Sequence, residues 1–511
     1  MTLNLLPNEI LHEISLLIGN DVKNLRLVDK LVNRAVDPIV WDVCPIIIHL
    51  NRDYLASGMS MIDDLSRLPV EKVRKLEIKS LNPSKERHPP RRTWTTKGYN
   101  TWIVTPPEPA DTEEILEAGR KLPDLLPRAL SALKGLKSVK WQLARQEANW
   151  THGAVLESLG SLPLLVDFRV TSAADAALPL QHLTNGSLQK LAIKLDSITD
   201  SRPFVSSLAT VLVQNPLLIH LELDMFVYGQ DLLPFQNLFQ DIPSETVRLS
   251  SLLLSGWTTQ MTPRIRPHLE SLRSLVLPSF WDENGGGLWK FLSAHPPQSI
   301  RCISSACVCD DLLDLLQSIP GLNALELHYA GGGTDAASDR LARRFYDDIL
   351  PRHTKTLRTL TIVPSFTGLW NIGPHNVDTF DECRQLTHLT VGLDSEEVNP
   401  GENERDIVAS FISHVARLPD LSVLVLPPVA SKGYRGARCG TGRYMAKIRI
   451  KHRIQESLEK AAIPNVSRLD HPFRIIASGS GSEVDVQFVV LNDGGDLLKF
   501  HRSPTVARPE D

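Results

Sequence analysis

Several features that would indicate a particular class of protein are scarce in this sequence. Six cysteines in 511 residues, irregularly spaced, do not form a disulfide framework, which favours a reducing compartment. The formal net charge of −4 provides no general basic field for nucleic acid. No run approaches the roughly 18 apolar residues of a membrane span, and Glu9, His12 and Glu13 interrupt the apolar N-terminus, which is therefore not a signal peptide. These absences predict a cytoplasmic or nuclear protein without a membrane or nucleic-acid partner.

Motifs for catalysis and cofactor binding are also absent. The sequence contains no serine elbow, no His-Glu-x-x-His pair and no dinucleotide glycine pattern. Cys302, Cys307 and Cys309 cluster, but no second ligand pair follows at zinc spacing, so we interpret them as small hydrophobic residues on a buried strand. We therefore expect no enzyme activity, no cofactor and no metal. The alternative is an unrecognised hydrolase, with nucleophile, base and acid in a deep pocket.

The first fifty residues follow a helical pattern. Apolar residues recur at helical spacing over residues 5–18, with Pro7 suited to the first turn, and predict a first helix. A second short helix is predicted from Val22 and a third from about Leu31 to Val36, with Trp41 closing the module. The run Ile46–Leu50 predicts a strand. A module of this size barely buries a core, so its apolar end is expected to pack on the next domain or to receive a partner.

Three landmarks of this region resemble the F-box family. Leu6-Pro7-x-Glu9-Ile10-Leu11 is followed by Leu25-Arg26-Leu27-Val28-x-Lys30 and then by Trp41. The resemblance covers roughly residues 3–50 and implies a three-helix module that docks on the Skp adaptor of cullin-RING ubiquitin ligases. The adaptor-facing positions that it implies are Leu5, Leu6, Pro7, Glu9, Ile10, Leu27 and Val28. The alternative is a generic helical cap on the body that follows.

From residue 70 onward a six-residue pattern recurs, L-x-x-L-x-L with aliphatic or aromatic substitutions. It begins at Val73, Leu136, Leu165, Leu188, Leu218, Leu249, Leu272, Leu322, Leu357, Leu386 and Leu421. Helical stretches lie between many of these hexads, as at 204–213, 288–294, 311–319, 341–350 and 406–418. A short strand and a helix repeated at this period are typical of leucine-rich repeats, which stack into a solenoid. The alternative is an ordinary α/β domain with leucine-rich strands.

Hexad residues between the apolar positions are expected on the exposed, concave face of the sheet. They are Lys75, Glu77, Lys140, Asp167, Arg169, Lys190, His220, Glu222, Asp224, Glu326, His328 and His388, with apolar Val423 and Val425 near the end. Such a surface is typical of a binding platform. The candidate substrate-binding residues are Arg169, His220, Glu222, Asp224, Glu326 and His328, although for any single one of them a merely solvated side chain is the simpler interpretation.

The pattern predicts an α/β fold in three regions. Residues 1–50 form an F-box-like three-helix module, 51–430 an irregular leucine-rich-repeat solenoid with a loop inserted at about 82–111, and 431–511 a partly structured cap with a frayed tail. The loop holds Trp94, Tyr99 and Trp102, which indicates either a partner contact or disorder without a role. The alternation of Lys447, Arg449, Lys451 and Arg453 with Ile448 and Ile450 predicts a strand-like basic edge.

The leading hypothesis joins the two patterns. The F-box-like module binds a Skp adaptor and, through it, a cullin, and the repeat surface binds a protein substrate, as the substrate-recognition subunit of an SCF-type E3 ubiquitin ligase does. Such a receptor acts by proximity, because it holds a target lysine near a ubiquitin-charged enzyme and performs no chemistry itself. The alternative is a leucine-rich-repeat protein-binding scaffold with no ubiquitin ligase role.

Overall fold

The structure is a computed structural model that describes the chain in segments. The described residues are 8–18, 22–25, 30–65, 71–83, 92–94, 100–102, 111–143, 147–172, 178–196, 201–225, 233–243, 246–258, 260–278, 286–330, 335–400, 405–434, 440–461, 463–464, 474–477, 486–491 and 497–503. The chain divides into two compact units. Unit 1 comprises Met1–Leu249 and Leu254–Thr258, and unit 2 comprises Ser250–Leu253 and Thr259–Asp511.

Helices and strands alternate along most of the chain. The helices are α1 (Asn8–Ile18), α2 (Val22–Leu25), α3 (Lys30–Val43), α4 (Leu55–Asp64), α5 (Glu113–Ala132), α6 (Asn149–Gly160), α7 (Ser201–Gln214), α8 (Arg266–Leu269), α9 (Gly286–Ala294), α10 (Asp310–Ser318), α11 (Asp335–Arg344), α12 (Leu350–His353), α13 (Ile407–Val415) and α14 (Gly440–Lys460). A π-helical turn, Phe345–Ile349, joins α11 to α12. Single 3₁₀ turns cover Arg52–Tyr54, Leu180–His182, Phe235–Phe239, Pro263–Ile265 and Lys432–Tyr434.

The strands are short throughout. They are β1 (Ile46–His49), β2 (Lys75–Ser80), β3 (Arg92–Trp94), β4 (Asn100–Trp102), β5 (Ser138–Leu143), β6 (Asp167–Ser172), β7 (Lys190–Leu195), β8 (His220–Met225), β9 (Leu233–Pro234), β10 (Ser251–Ser255), β11 (Trp257–Thr258), β12 (Ser274–Leu277), β13 (Cys302–Ser305), β14 (Ala324–Ala330), β15 (Thr359–Pro364), β16 (His388–Val391), β17 (Val423–Leu426), β18 (Ile463–Pro464), β19 (Arg474–Ala477), β20 (Val486–Leu491) and β21 (Leu497–Ser503). The α/β class predicted from the sequence is confirmed.

The N-terminal helices share a small core. Its buried residues are Leu11, Val32, Val36, Ile39 and Val40. The third helix is longer than predicted, because it continues through Pro38 and Trp41 to Val43. A proline inside a helix costs about 3 kcal/mol, but burying Ile39 and Val40, the next two residues, contributes about 1.5–3 kcal/mol each. The indole Nε1 of Trp41 also donates to Asp37 Oδ1 at 3.1 Å.

Unit 1 contains a parallel sheet whose strands follow the predicted hexads. The order is β1, β2, β5, β6, β7, β8, each paired in parallel with the next. The register places the fourth hexad residue of neighbouring repeats side by side, as in Leu76, Val139 and Phe168. β1, which lies outside the hexads, extends the sheet beside β2 through Ile48 and Ile78.

Unit 2 repeats the arrangement. β10, β12, β13, β14, β15, β16, β17 and β19 pair in parallel in that order. Two of these strands were not predicted, β13 in the long gap before Leu322 and β19 after the last hexad. Beyond β19 the pairing reverses, since β20 and β21 are antiparallel. Both β20 and β21 lie in the region after residue 430, which was predicted to be a partly structured cap.

The same hydrogen-bond arrangement joins successive repeats at the start of their strands. One carbonyl oxygen accepts hydrogen bonds from two successive N–H groups of the next repeat, as when Arg74 O accepts from Lys137 and Ser138 at 2.9 and 3.0 Å. Lys137 O then accepts from Val166 and Asp167, and the scheme continues through unit 1. In unit 2 it runs from Ser250 O onward. The first, fourth and sixth residues of every predicted hexad are buried, with at most 9% of their surface exposed. The repeat architecture predicted from the hexads is therefore confirmed within each unit.

One local prediction is wrong. Residues 447–453 are not a strand-like edge but part of α14, because Ala446, Ile450, Ile454 and Leu458 are buried at four-residue spacing. Within the loop predicted at about 82–111, β3 and β4 form an antiparallel pair. Tyr99 and most of that segment lie outside the described residues, as does the frayed tail predicted after Ser503.

Candidate protein-binding surfaces

The side of α1 that faces away from the helical core carries exposed apolar side chains. Leu11 and Ser15 face the helical core, and Ser15 Oγ donates to Leu11 O at 2.6 Å. On the opposite side Ile10, Ile14 and Leu17 follow one another at helical spacing. Ile10 is 45% exposed and Leu17 is 84% exposed, far more than a leucine on a packed helix. This exposed apolar stripe is a candidate contact for another protein.

The positions implied by the F-box resemblance are only partly described. Glu9 and Ile10 lie on α1, and Ile10 belongs to the exposed stripe. Leu5, Leu6, Pro7, Leu27 and Val28 lie outside the described residues. Leu17 was not among the predicted contacts, although its place seven residues after Ile10 puts both on one helix face. That spacing was the signal available in the sequence.

The sheet of unit 1 exposes a charged surface, here called the unit 1 face. It consists of the outward side chains of β2, β5, β6, β7 and β8. The register forms rows across the strands, and one row reads Glu77, Lys140, Arg169, Ala192 and Glu222. Of the predicted substrate-binding residues, Arg169 lies on β6 of this face, and His220, Glu222 and Asp224 lie two strands away on β8. The hexad periodicity therefore places all four on one face of the sheet, whatever their role.

Two ion pairs balance part of the charge. Arg169 Nε lies 3.2 Å from Asp167 Oδ1, and Lys194 Nζ lies 2.9 Å from Asp224 Oδ2. The hydrogen bond that Lys194 donates to Asp224 raises the pKa of Lys194. Partial burial, then the positive charge of Lys190, lowers the pKa of His220, which favours the neutral ring near pH 7.

The exposed side chains of the unit 2 sheet differ from those of the unit 1 face. Glu326 and His328 lie two residues apart on β14, with Nε2 of the histidine 3.5 Å from Oε2 of the glutamate. This contact lowers the pKa of Glu326. The row of Glu326 also carries Val276, Ser304, Thr361, Thr390 and Val425, and the row two residues earlier carries Ser274, Cys302, Thr359 and His388. His388 is exposed on β16, but Val423 on β17 is buried and not exposed as predicted, and Val425 is half-buried.

The clustered cysteines are half-buried free thiols. Cys302 lies on β13, but Cys307 and Cys309 lie in the segment between β13 and α10, so the prediction of one buried strand holds for Cys302 alone. Burial raises the pKa of Cys309 to about 11, which keeps it a thiol. No group of His, Cys, Asp or Glu suited to a metal ion occurs among the described residues.

A groove of about 470 Å³ lies between α7 and the 3₁₀ turn Phe235–Phe239. Its lining includes Ser206, Thr210, Gln214 and Asn237. It lies away from the unit 1 face, on the helical side of the repeats, and the hexad pattern gave no signal for it. Within the described segments, no helix is both long enough and apolar enough to span a bilayer.

Comparison with known proteins gives distant structural likeness only. Neither a family model nor a curated protein matches the sequence. The crystal structure of the Rad7 and Elc1 complex in yeast is 15% identical with a TM-score of 0.37, over 82% of this chain and 92% of that chain. The TLR13–ssRNA13 complex is 13% identical with a TM-score of 0.30, over 75% of this chain and 53% of that one. This chain thus covers about half of the second protein.

Proposed function

We propose that the chain is the substrate-recognition subunit of an SCF-type cullin-RING E3 ubiquitin ligase. Its N-terminal helices bind a Skp adaptor, and its repeat sheets bind a protein substrate. The observation that carries the proposal is the exposed stripe on α1, because it lies on the helix that contains the F-box-like motif. Burial of a side chain such as Leu17 in an adaptor interface contributes about 1.5–3 kcal/mol.

Other features support the receptor role. The helix that carries the stripe packs on a buried core formed by Leu11, Val32, Val36, Ile39 and Val40. The repeat sheets offer rows of exposed polar side chains on regularly spaced strands, which suits recognition of an extended protein surface. In this role the protein supplies proximity, and the ubiquitin-transferring enzyme supplies the chemistry.

Capture of a Skp adaptor by the purified full chain tests the proposal. Leu17→Asp, and separately Leu6→Asp with Pro7→Ala, are expected to weaken capture about tenfold or more, since an aspartate cannot be buried without a partner. Leu116→Asp is the matched control, because Leu116 is 49% exposed on α5, away from the N-terminal helices. It should leave capture unchanged.

Point substitutions are better suited to this test than deletion of residues 1–50. Such a deletion would also remove β1, whose fully buried Ile48 pairs with Ile78 of β2. Loss of adaptor binding could then reflect a damaged sheet. If the wild-type chain captures no Skp adaptor, the ligase role fails and the protein is a leucine-rich-repeat scaffold that binds other proteins.

A further inference from the structure

Three arginines line the edge of the unit 2 sheet at which its strands begin. Arg273, Arg301, Asn323 and Arg358 immediately precede β12, β13, β14 and β15. Their backbones are in register, because Arg301 N donates to Arg273 O, Asn323 N to Arg301 O and Arg358 N to Asn323 O, each at 2.8 Å. Neighbouring strands are roughly 4.8 Å apart, so the distance along the edge from Arg273 to Arg358 is about 14 Å. Arg273, Arg301 and Arg358 are here called the arginine row.

No acidic side chain neutralises the arginine row. Among the residues that the structure describes, Arg273, Arg301 and Arg358 form no ion pair. The register places Arg273 directly beside Arg301, where the two like charges repel one another. Glu270 is the acid nearest to Arg273 in sequence, and it pairs with Arg266 at 3.1 Å. The positive charge of this edge is therefore available to a ligand.

Short, uncharged side chains flank the arginine row on both sides. The row on the strand side consists of Ser274, Cys302, Ala324 and Thr359. Two residues before each position of the edge stand Ser271, Ser299, Gly321 and Thr356. None of these side chains is longer than that of threonine, so a ligand chain can lie close to the sheet beside the arginines.

The guanidinium of Arg301 is oriented by its own turn. Its Nη1 donates to the carbonyl oxygens of Gln298 and Ile300 at 3.0 and 2.7 Å. Those bonds leave Nη2 and Nε without a partner among the described residues. The side chains of Arg273 and Arg358 are exposed and make no hydrogen bond within that part of the chain. The arginine row thus presents free guanidinium donors, one of them fixed in direction.

We propose that this edge of the unit 2 sheet binds an acidic peptide segment, which lies across the strands with Asp or Glu carboxylates directed at the arginine row. The inference rests on the proposed receptor role, for which it specifies the class of substrate. An extended chain places alternate side chains roughly 6.6 Å apart, so three of them span roughly 13 Å, close to the length of the row. Guanidinium groups bind carboxylates through two parallel hydrogen bonds, which adds geometric specificity to the attraction between charges.

The arrangement favours several carboxylates over one phosphoryl group. A phosphate binds best where donors converge, often with backbone N–H groups of a helix N-terminus or a nest. The arginines are instead spread along an open edge. The backbone N–H groups beside them are already used, since those of Arg301 and Cys302 both donate to Arg273 O.

A nucleic acid fits this edge less well than a peptide does. Proteins hold single-stranded nucleic acids largely by stacking the bases on aromatic side chains. The arginine row and the neighbouring row on the strand side contain no Phe, Tyr or Trp from β12 to β15.

Glu326 predicts the charge pattern of the peptide. It lies three residues beyond Asn323 on β14, roughly 10 Å along the strand, so it does not pair with the arginine row. The hydrogen bond with His328 lowers the pKa of Glu326, which is therefore charged at neutral pH. Peptide side chains that point away from the arginines, toward Glu326, should be neutral or basic. The expected ligand alternates acidic and non-acidic residues.

The test is direct binding of labelled peptides to the purified full chain, measured by fluorescence anisotropy. The probe is a peptide of alternating Glu and Ser, compared with alternating Gln and Ser, a singly phosphorylated Gln/Ser peptide and single-stranded RNA. We expect the Glu peptide to bind most tightly and its affinity to fall as salt rises. Arg273→Glu with Arg358→Glu should weaken its binding about tenfold, since two attractive charges become repulsive.

Two further variants separate local binding from general effects. Asn323→Arg completes the row between Arg301 and Arg358 and should strengthen binding of the Glu peptide about threefold, a gain that misfolding cannot produce. Arg264→Glu with Arg343→Glu makes the same change of charge at two exposed arginines outside the strands, and should alter binding less than about twofold. Circular dichroism should show unchanged folding in every variant.

Four outcomes would overturn the inference. They are equal binding of the Glu and Gln peptides, tighter binding of the phosphorylated peptide or RNA, an equal loss in the Arg264 and Arg343 double variant, and no gain with Asn323→Arg. Because no adaptor is present in this assay, its failure leaves the proposed ligase role standing. Conversely, adaptor capture can fail while the acidic peptide still binds, which would remove the ligase role alone.

Discussion

At the scale of single residues, two buried polar side chains perform the same task in the two units. Asn215 Oδ1 accepts from Leu188 N at 3.3 Å, and His353 Nδ1 accepts from Leu322 N at 3.2 Å. Leu188 and Leu322 are each the first residue of a hexad. Both side chains also contact carbonyl oxygens of the preceding helical turns, Leu183 O and Val211 O for Asn215 and Leu316 O for His353. Each side chain therefore hydrogen-bonds the end of its helix to the preceding repeat.

Asn215→Ala should lower the free energy of unfolding by about 2–3 kcal/mol. The substitution leaves the buried Leu188 N–H and Leu183 carbonyl without partners, and unsatisfied buried groups cost roughly 1–3 kcal/mol. Urea denaturation followed by circular dichroism measures the change. Asn185→Ala is the control, because Asn185 is only half-buried and should cost less. Equal losses would show that the buried network is not the cause.

His353 should make unfolding sensitive to mild acid. Burial lowers its pKa, and the neutral ring accepts the Leu322 N–H at Nδ1. The unfolded chain binds a proton more readily, so this contribution is complete above the unfolded pKa of about 6.5 and declines as pH falls below it. Thermal melts from about pH 7.5 to about pH 5 should show a smaller pH dependence in His353→Asn than in the wild type. Equal slopes would contradict this.

At the scale of elements, α14 shows how burial decides between two readings of one sequence. Lys447, Arg449, Lys451 and Arg453 alternate as in a strand, but the apolar residues beside them recur every fourth position. The cations are accommodated within the helical packing. Arg453 donates to the carbonyl oxygens of Ser395 and Val398, and Arg443 stacks over Phe366 with 4.7 Å between its Cζ and the ring centroid.

Ile454→Ala should therefore cost about 2–5 kcal/mol, because Ile454 is 1% exposed and its removal leaves a cavity. Met445→Ala, on the same helix but 48% exposed, should change stability by less than about 0.5 kcal/mol. Urea midpoints of the two variants provide the measurement. Similar midpoints would mean that α14 is not anchored through this face.

The hexads predicted most strands because their apolar residues are buried at a fixed spacing. β13 was missed since Ser305 stands where the third apolar residue is expected. It is 1% exposed, and its hydroxyl donates to Cys307 O at 2.6 Å. A buried hydroxyl whose hydrogen bond is made locally cannot be recognised from hydrophobic periodicity.

The candidate surfaces were predictable to different degrees. Lys140, Arg169, Ala192 and Glu222 all occupy the fifth hexad position, so their common row follows from sequence alignment of the repeats. The ion pair of Arg169 with Asp167 does not, because it depends on the conformations of the two side chains. The exposure of Leu17 likewise depends on how α1 packs on α3, which helical spacing alone leaves undetermined.

At the scale of the whole molecule, stability is expected to be distributed by repeat. Each strand pairs with its neighbours in the array, and repeat proteins couple mainly between adjacent units. Asn215→Ala should therefore increase amide exchange most in α7, β7 and β8 and least in β1 and in β14 to β17. Hydrogen exchange with mass spectrometry measures this pattern. A uniform increase along the chain would instead indicate a single cooperative unit.

The reversal of pairing after β19 bears on how such a chain can lengthen. Strands β10, β12 to β17 and β19 run in one direction, so a duplicated repeat inserted among them would find matching partners on both sides. β20 and β21 run antiparallel, and β21 also pairs with β18. A repeat appended after β19 would have to displace them. Growth by duplication is therefore compatible with the interior of the array and incompatible with its C-terminal end.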